Sequence, residues 1–372
     1  LSRLKDTAVD GIVSDTEMTK WGDQAKGWYE NNTTAHSLES RMANAMIGGQ
    51  EFMYPHKEKD TCSSNCAGNT WIAGYDEYAR FMSEYLTKYF GTGGTTGEIK
   101  PKIIEVMNEP FVKSGKLGTT NANITELHKV VADRLHTDHP DVKVGGFTAA
   151  YPALEKNDSQ FSLFDNTWKT FIDGAGDEMD FYSIHLYDNH NETDHQYRSG
   201  SNVEAILDMV EHYSAITIGE AKPWVISEIG FFAPGDLGKG PYSRERDWWN
   251  IRSFSSMTMQ LLEKPDQIIS SMPFSILKAN WHGDNGILSE DGSRYSTRLF
   301  VLDGELDGSL NVPEAGNEWV FSDIKKFYEL WSEVKGMRVD TMSADPDLQT
   351  DAYIDGDTLY FIVNNLESED VI

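Results

Sequence analysis

Apolar runs alternate with stretches of helical periodicity along most of this chain. In 71–90 the apolar residues recur at helical spacing, and Gly91 follows them as a stop signal. The run 102–107 predicts a short buried strand, and 124–136 returns to helical periodicity. Strands that alternate with helices in this way predict parallel βαβ units.

The alternation extends over most of the remaining sequence. Further strands are predicted at 46–53, 142–147, 181–187, 224–227 and 268–277. Further helices are predicted at 161–172, 203–214, 244–262 and 318–334. The polar opening, 1–43, offers one strand at 11–13 and a helix, so one or two opening strands of the fold are absent or hard to recognise.

An open doubly wound sheet and a closed (β/α)₈ TIM barrel share this alternation. Here the predicted strands end on polar or aromatic residues, which are Asn108, Glu109, Tyr151, His185, Tyr187, Glu228 and Trp281. A barrel builds its active site from these strand ends, whereas no strand is followed by the Gly-rich loop of a dinucleotide-binding fold. The pattern favours the barrel.

The pattern of hydrophobic and polar residues changes after Gly336. Residues 351–361 predict a β-hairpin with an Asp-Gly turn. We therefore expect a catalytic barrel over 1–336 and the start of a truncated β-sandwich over 337–372.

Charge narrows the classes of partner. The chain has 372 residues with 32 Lys and Arg against 60 Asp and Glu, a formal charge of −28. This argues against nucleic acid or an anionic membrane as a partner and suits a neutral or only sparsely charged ligand. We expect a monomer that is secreted, periplasmic or at the cell surface. No apolar run is long enough to span a bilayer. Both ends look cut from a longer protein, so the lack of a targeting signal means little.

Neither the cysteines nor the acids point to a cofactor. Cys62 and Cys66 share a polar loop, where a local disulfide and two free thiols are both open. No partner pair at zinc spacing accompanies them. The Asp-rich loops would suit a structural calcium ion but lack EF-hand spacing.

Two glutamates carry the candidate chemistry. Hydrolysis of a glycosidic bond needs two carboxyl groups, one to protonate the leaving oxygen and one to attack the anomeric carbon or activate water. Glu109 follows the buried strand 102–107, and Glu228 follows the apolar run 224–227. We interpret them as a catalytic pair.

The surrounding residues resemble clan A glycoside hydrolases. Residues 106–110, Val-Met-Asn-Glu-Pro, resemble the clan's fourth-strand acid/base signature, and 225–230, Val-Ile-Ser-Glu-Ile-Gly, resemble its seventh-strand nucleophile motif. His185 and Tyr187 resemble the sixth-strand pair that orients the nucleophile, and Trp281 resembles the eighth-strand aromatic platform. Within the clan the sequence is most similar to glycoside hydrolase family 86, the β-agarases and β-porphyranases.

The resemblance implies a function. It implies a retaining endo-hydrolase of agarose- or porphyran-type galactan with Glu109 as acid/base and Glu228 as nucleophile. The pKa of Glu109 is then expected to be raised, while Glu228 stays ionised. Asn108 is expected to bind the 2-hydroxyl of the sugar. The other candidate sugar-binding residues are His185, Tyr187, Trp281, Tyr151, Phe52, Tyr54 and His56.

Other interpretations stay open. The same mechanism could act on a β-glucan, β-mannan or xylan, and an inactive carbohydrate-binding pseudo-hydrolase is the alternative of another class. Lys278 near a strand end would suit Schiff-base chemistry, but no motif supports it. Arg198, Arg244 and Arg246, predicted in loops, could bind sulfate.

Overall fold

The structure is a computed structural model that describes residues 4, 8–41, 45–55, 72–150, 152, 154, 161–190, 195–232, 242–274, 298–306, 318–345 and 347–366. The chain divides into two compact units, Leu1–Ile184 with Val210–Val225 and His185–Met209 with Ile226–Ile372.

Strands and helices follow one another through the described residues. The strands are β1 Ala45–Gly49, β2 Ile103–Met107, β3 Lys143–Ala149, β4 Phe181–His190, β5 His195–Gln196, β6 Trp224–Phe232, β7 Ile268–Pro273, β8 Phe300–Leu302, β9 Trp319–Phe321, β10 Met337–Val339, β11 Leu348–Asp355 and β12 Thr358–Asn365. The α-helices are α1 Asp15–Glu30, α2 Thr33–His36, α3 Tyr75–Tyr89, α4 Ser114–Leu117, α5 Asn121–Asp138, α6 Ser162–Phe164, α7 Thr170–Ala175, α8 Ser201–Ile218, α9 Arg244–Leu262, α10 Asp303–Leu306 and α11 Lys325–Glu333. A π-helical segment, Asp165–Lys169, joins α6 to α7.

The largest sheet has the strand order β1-β2-β3-β4-β6-β7, and β5 pairs with β4. The pairs β1/β2, β2/β3 and β3/β4 are parallel. In sequence, helix α3 precedes β2, α5 precedes β3, α8 precedes β6 and α9 precedes β7. The predicted βαβ alternation is therefore confirmed.

Aromatic side chains fill the core of the first unit. Trp168 and Trp224 are fully buried, and their ring centroids lie 5.3 Å apart in an edge-to-face arrangement. Tyr182 packs against both rings at 5.7 and 5.9 Å. Such contacts add directional attraction to the burial of large apolar surfaces. This core supports the strands β4 and β6 near their beginnings.

Polar caps define where the longer helices begin. The Thr120 hydroxyl accepts from the Asn123 amide at 3.2 Å, and the Ser243 hydroxyl accepts from the Arg246 amide at 3.3 Å. Each cap satisfies a backbone donor that the first helical turn leaves open. Helix α9 consequently spans the same residues as the predicted helix, 244–262. No described helix is long and apolar enough to cross a membrane.

The predicted helix 318–334 is wrong in its first part. Trp319–Phe321 forms strand β9, which pairs antiparallel with β8, and the helix begins only at Lys325. The aromatic and β-branched triplet Trp-Val-Phe favours a strand once a partner strand is available. That partner is distant in sequence and could not be anticipated from local periodicity.

Other predicted boundaries shift by a few residues. Strand β1 ends at Gly49, and a 3₁₀ turn, Glu51–Met53, replaces the end of the predicted strand 46–53. Strand β6 continues to Phe232, so Glu228 lies within the strand and not at its end. The predicted strand 11–13 is reduced to an isolated bridge between Val9 and Ile12.

A three-stranded antiparallel sheet, ordered β10-β11-β12, lies past Gly336 in the second unit. The predicted hairpin is confirmed, but Asp355 pairs with Thr358, so the two turn residues are Gly356 and Asp357. Gly356 has φ 58°, which a two-residue hairpin turn requires and glycine adopts without strain. That these strands begin a β-sandwich stays a prediction.

Candidate active site

Glu109 leaves the end of a buried strand in a strained conformation. Residues Ile104 to Met107 of β2 are almost completely buried, and the Asn108 amide donates to the Gly49 carbonyl at 3.0 Å, extending the pairing with β1. Glu109 itself has φ 48°. A non-glycine residue in the left-handed region is strained, and such strain concentrates at functional sites. Glu109 thus lies in the turn that follows the end of β2 at Met107.

A lysine lies beside this carboxylate. Lys113 Nζ is 3.5 Å from Glu109 Oε2 and 3.8 Å from Glu51 Oε1, and it donates to the Asn108 carbonyl at 3.4 Å. Lys116 pairs with Glu51 at 2.5 Å. The positive charge of Lys113 is thus shared between two carboxylates. The sequence analysis missed Lys113, because residues 109–113 form a turn and a spacing of four residues indicates contact only within a helix.

The side-chain oxygen of Asn108 is a candidate hydrogen-bond acceptor for a ligand. Its Oδ1 is buried and accepts no hydrogen bond within the described residues. A buried amide oxygen without a donor is unfavourable in the protein alone, because nearly all such groups are paired. An acceptor beside Glu109 fits the predicted contact with a sugar hydroxyl.

A small pocket of about 20 Å³ opens beside Glu109. The residues that line it are Glu109, Phe111, Val112, Phe147, Thr148, Ala149, Ala150, Leu163 and Thr167. The rings of Phe111 and Phe147 stack with centroids 4.1 Å apart. The first unit therefore presents the Glu109 carboxyl at the edge of a largely apolar hollow.

Glu228 is held by a tyrosine on the neighbouring strand. The Tyr187 hydroxyl donates to Glu228 Oε2 at 2.5 Å, and His185 Nδ1 lies 3.4 Å from the same oxygen. Glu228 is 9 % exposed, Tyr187 is 7 % exposed and His185 is inaccessible. Hydrogen bonds to an ionised carboxylate stabilise its charged form and fix its orientation. The structure thus brings Glu228 together with the two residues that were predicted beside it, His185 and Tyr187.

Gly230 provides the space that Tyr187 occupies. A Cβ at position 230 would lie 2.6 Å from Cε1 of Tyr187. Glu228 and Gly230 are two positions apart on one strand, so their side-chain positions share a face. The Tyr187 ring also stacks with Phe232 at a centroid distance of 4.5 Å. The Tyr187 ring therefore explains why the Ser-Glu-Ile-Gly segment has glycine at position 230, where a larger residue would clash.

A buried carboxylate anchors the strand that carries Tyr187. Asp188 accepts from the Arg198 amide at 2.5 Å and from the Ser253 hydroxyl at 2.6 Å. Burial raises the pKa of Asp188, and its hydrogen bonds oppose that rise. Sequence reasoning missed Asp188, since its partners lie on other elements and no local spacing points to them.

The remaining predicted sugar-binding and loop residues fall in two groups. Tyr54 is buried, and its hydroxyl bonds to Thr119 at 2.8 Å and to Tyr75 at 3.1 Å, so its sugar contact stays a prediction. The side chain of Phe52 and the residues Trp281, Tyr151, His56, Cys62, Cys66 and Lys278 lie outside what the structure describes.

The three arginines considered for sulfate binding were predicted in loops, and the structure places them differently. Arg198 is 3 % exposed, and Arg246 is 2 % exposed within helix α9 and not in a loop. Arg244 opens the same helix with an exposed side chain. Two of the three are therefore interior residues, which reduces the cations available to a sulfated ligand.

Known proteins resemble this chain along most of its length. The chain is 37% identical over 376 residues to a funoran endo-β-hydrolase from Wenyingzhuangia aestuarii, covering 98% of this chain and 48% of that protein. No family model matches the sequence.

Solved structures show the same fold. The enzyme BuGH86, crystallised with neoagarooctaose, has a TM-score of 0.81 at 34% identity, covering 98% of this chain and 57% of that one. A β-porphyranase of glycoside hydrolase family 86 from the gut bacterium Bacteroides plebeius has a TM-score of 0.64 at 33% identity, covering 79% and 49%. The chain thus spans about half the length of these relatives. Its fold is the predicted TIM-barrel type, and the chain belongs to glycoside hydrolase family 86.

Proposed function

We propose that this chain is the catalytic part of a retaining endo-hydrolase of β-linked galactan of the agarose or porphyran type. The observation that carries the proposal is the 2.5 Å hydrogen bond from Tyr187 to the buried Glu228. A tyrosine hydroxyl that donates to a carboxylate stabilises the ionised form of that carboxylate and fixes its orientation. A carboxylate nucleophile needs both. An ordinary structural glutamate at such a buried position would instead tend to be neutral or paired with a cation.

In the first step Glu228 attacks the anomeric carbon while Glu109 gives its proton to the leaving oxygen. The bond from the anomeric carbon to that oxygen breaks, and a glycosyl ester of Glu228 forms. Their strands are separated in the sheet by β3 and β4, and barrel enzymes draw catalytic groups from several different strands. Asn108 binds the 2-hydroxyl of the sugar being transferred.

In the second step water cleaves the glycosyl ester. Glu109, now ionised, takes a proton from the attacking water, and Glu228 leaves as a carboxylate. Lys113 offers a nearby positive charge when Glu109 is ionised. Two displacements at the anomeric carbon restore its original configuration.

The galactan assignment comes from the relatives. The matched proteins bear the names of a funoran hydrolase and a porphyranase, and one was crystallised with neoagarooctaose. These support a galactan over the β-glucans, β-mannans and xylans that the same mechanism would also serve. A polysaccharide is too large to enter a cell intact, so we infer that the protein acts after secretion or at the cell surface.

The catalytic pair is tested by removing each carboxylate. Glu228→Ala is expected to lower turnover of agarose or porphyran oligosaccharides by at least about 10⁴-fold while the protein stays folded. Azide should restore part of the activity and yield the α-glycosyl azide. With Glu109→Ala and an aryl glycoside, azide should yield the β-glycosyl azide. The exposed Glu204→Ala on α8 is the matched control and should keep full activity.

Proton NMR of the first product of the unaltered protein provides the second readout. Retention predicts that the β-anomer forms first. Full activity of the Glu228→Ala variant, or an initial α-anomer, would overturn the mechanism. Absence of cleavage across agarose, porphyran and funoran, with cleavage of a β-glucan, would overturn the substrate.

A further inference from the structure

Two glutamates lie at equivalent positions on neighbouring strands. Gly49, the last residue of β1, is the register partner of Met107, the last residue of β2. Glu51 and Glu109 each follow two residues later, and Glu51 begins the 3₁₀ turn after β1. The strands are parallel, so their carboxyl ends meet at the same edge of the sheet. Glu51 therefore belongs to the surroundings of the proposed acid/base.

Lys113 lies between these two acids. Its Nζ is 3.5 Å from Glu109 Oε2 and 3.8 Å from Glu51 Oε1, and it donates to the Asn108 carbonyl at 3.4 Å. The side chains of Lys113 and Glu109 are 20 % and 19 % exposed, so solvent screens their interaction only in part. Lys116, a largely exposed cation, pairs with Glu51 at 2.5 Å. Glu51 is thus the acid to which both lysines are paired.

The proposed reaction needs Glu109 in two charge states. It must hold a proton until the leaving oxygen takes it, and it must be ionised to accept a proton from water. An adjacent cation favours the ionised state, and a nearby carboxylate opposes it. Lys113 alone would therefore help the second step and hinder the first. Glu51 counters this effect because it attracts the ammonium group of Lys113 and adds a negative charge of its own.

We propose that Glu51 and Lys113 are positioning residues that act together on Glu109, so that the acid/base keeps its proton for the first step and loses it readily for the second. The inference rests on the proposed role of Glu109. The proposed mechanism involves two more titratable groups, Glu228 and His185 beside it. Both are the same in every variant compared, so their contributions cancel.

The pH dependence of kcat/KM on agarose or porphyran oligosaccharides tests the pair. The alkaline limb of that profile reports the essential acid of the free enzyme, which is Glu109 in the proposed mechanism. Lys113→Gln removes the adjacent cation and should move the limb to higher pH. Glu51→Gln leaves both lysines without this counter-charge and should move the limb to lower pH. Each shift should be about 0.5 pH unit, the size that a partly exposed ion pair produces.

Three further variants make the test specific. Lys113→Arg keeps the positive charge and should leave the limb within about 0.2 pH unit of the unaltered protein. Lys88→Gln is the matched control and should not move the limb, because Lys88 is likewise shared between two carboxylates, Glu84 at 3.0 Å and Asp15 at 3.6 Å. In the Lys113→Gln background, the shift caused by Glu51→Gln should be smaller, since the two residues act together.

The outcomes separate the two proposals. A purely structural role would lower activity at every pH without moving the limb. Limbs that stay in place, or that move in the same direction in Lys113→Gln and Glu51→Gln, would therefore overturn the inference while the protein still cleaves galactan. Lack of cleavage of any galactan by the unaltered protein would instead contradict the proposed function.

Discussion

At the scale of single residues, the contact between Tyr187 and Gly230 sets the position of Glu228. The ring of Tyr187 packs against the backbone at Gly230 and stacks with the ring of Phe232. A side chain at position 230 needs space that the tyrosine ring already fills. Because protein interiors are close-packed, the ring would have to leave its present position.

Gly230→Ala is therefore expected to displace Tyr187 and break its hydrogen bond to Glu228. Loss of a hydrogen bond to a charged group corresponds to a fall in kcat of about ten- to a hundredfold. Tyr187→Phe should cause a similar fall, and the double variant should be no worse than Gly230→Ala alone, since both changes remove one contact. Steady-state kinetics of the three variants measure this.

Gly27→Ala provides the control for the glycine substitution. Gly27 lies in helix α1, and a Cβ there meets nothing within 4 Å. Alanine should leave activity unchanged and favour the helix slightly. Unaltered kcat in Gly230→Ala would contradict the steric argument.

At the scale of elements, a buried carboxylate ties helix α9 to the turn before α11. Asp247, in the first turn of α9, accepts from the Tyr242 hydroxyl and from the Asp323 amide, each at 2.9 Å. Burial raises the pKa of Asp247 to about 6, and these hydrogen bonds oppose the rise. The buried Arg246 beside it has a pKa lowered to about 10, chiefly by its own burial.

The raised pKa predicts a stability change with pH. The folded state binds the Asp247 proton more tightly than the unfolded state does. The stabilisation from this group is therefore complete below about pH 4 and is lost as pH rises through about 6. The loss amounts to about 3 kcal/mol, because one pKa unit corresponds to about 1.4 kcal/mol.

Asp247→Asn removes this titration. Relative to the unaltered protein, the variant should gain about 3 kcal/mol in free energy of unfolding between about pH 4 and about pH 7. Urea unfolding at a series of pH values measures the difference, and the shared contribution of other groups cancels. A difference that does not change with pH would contradict the raised pKa.

At the scale of the whole molecule, the formal charge of −28 is the dominant property. Mutual repulsion of the acids destabilises the compact state, and salt screens it. Raising NaCl from about 0.05 M to about 0.3 M should therefore raise the melting temperature by roughly 3 °C or more.

Screening has a characteristic salt dependence. Most of the increase should come below about 0.3 M, where the Debye length falls fastest, and little should follow from there to about 1 M. Sucrose at matched osmolality is the control, because it does not screen charge. A melting temperature that does not respond to salt below about 0.3 M would contradict the electrostatic explanation.

Local patterns in the sequence were enough for much of the fold. Strand β2 and helix α9 occur at the predicted residues because their signals, an apolar run and an N-cap before periodic apolar residues, lie within the segment itself. Strand β9 was predicted as helix because its identity depends on β8, a strand from another part of the chain. The spacing of apolar residues indicates only the local preference for helix or strand, and pairing with another strand can override that preference.

The sequence by itself determined the alternating βαβ architecture, the family and the two candidate glutamates, because each rests on residues close together in the chain. Only the tertiary structure decided that Lys113 lies between Glu109 and Glu51, that Asp188 is held by Arg198 and Ser253, and that Gly230 leaves space for the Tyr187 ring. These facts depend on distances between side chains from separate elements. Such distances are set by packing, which no local pattern records.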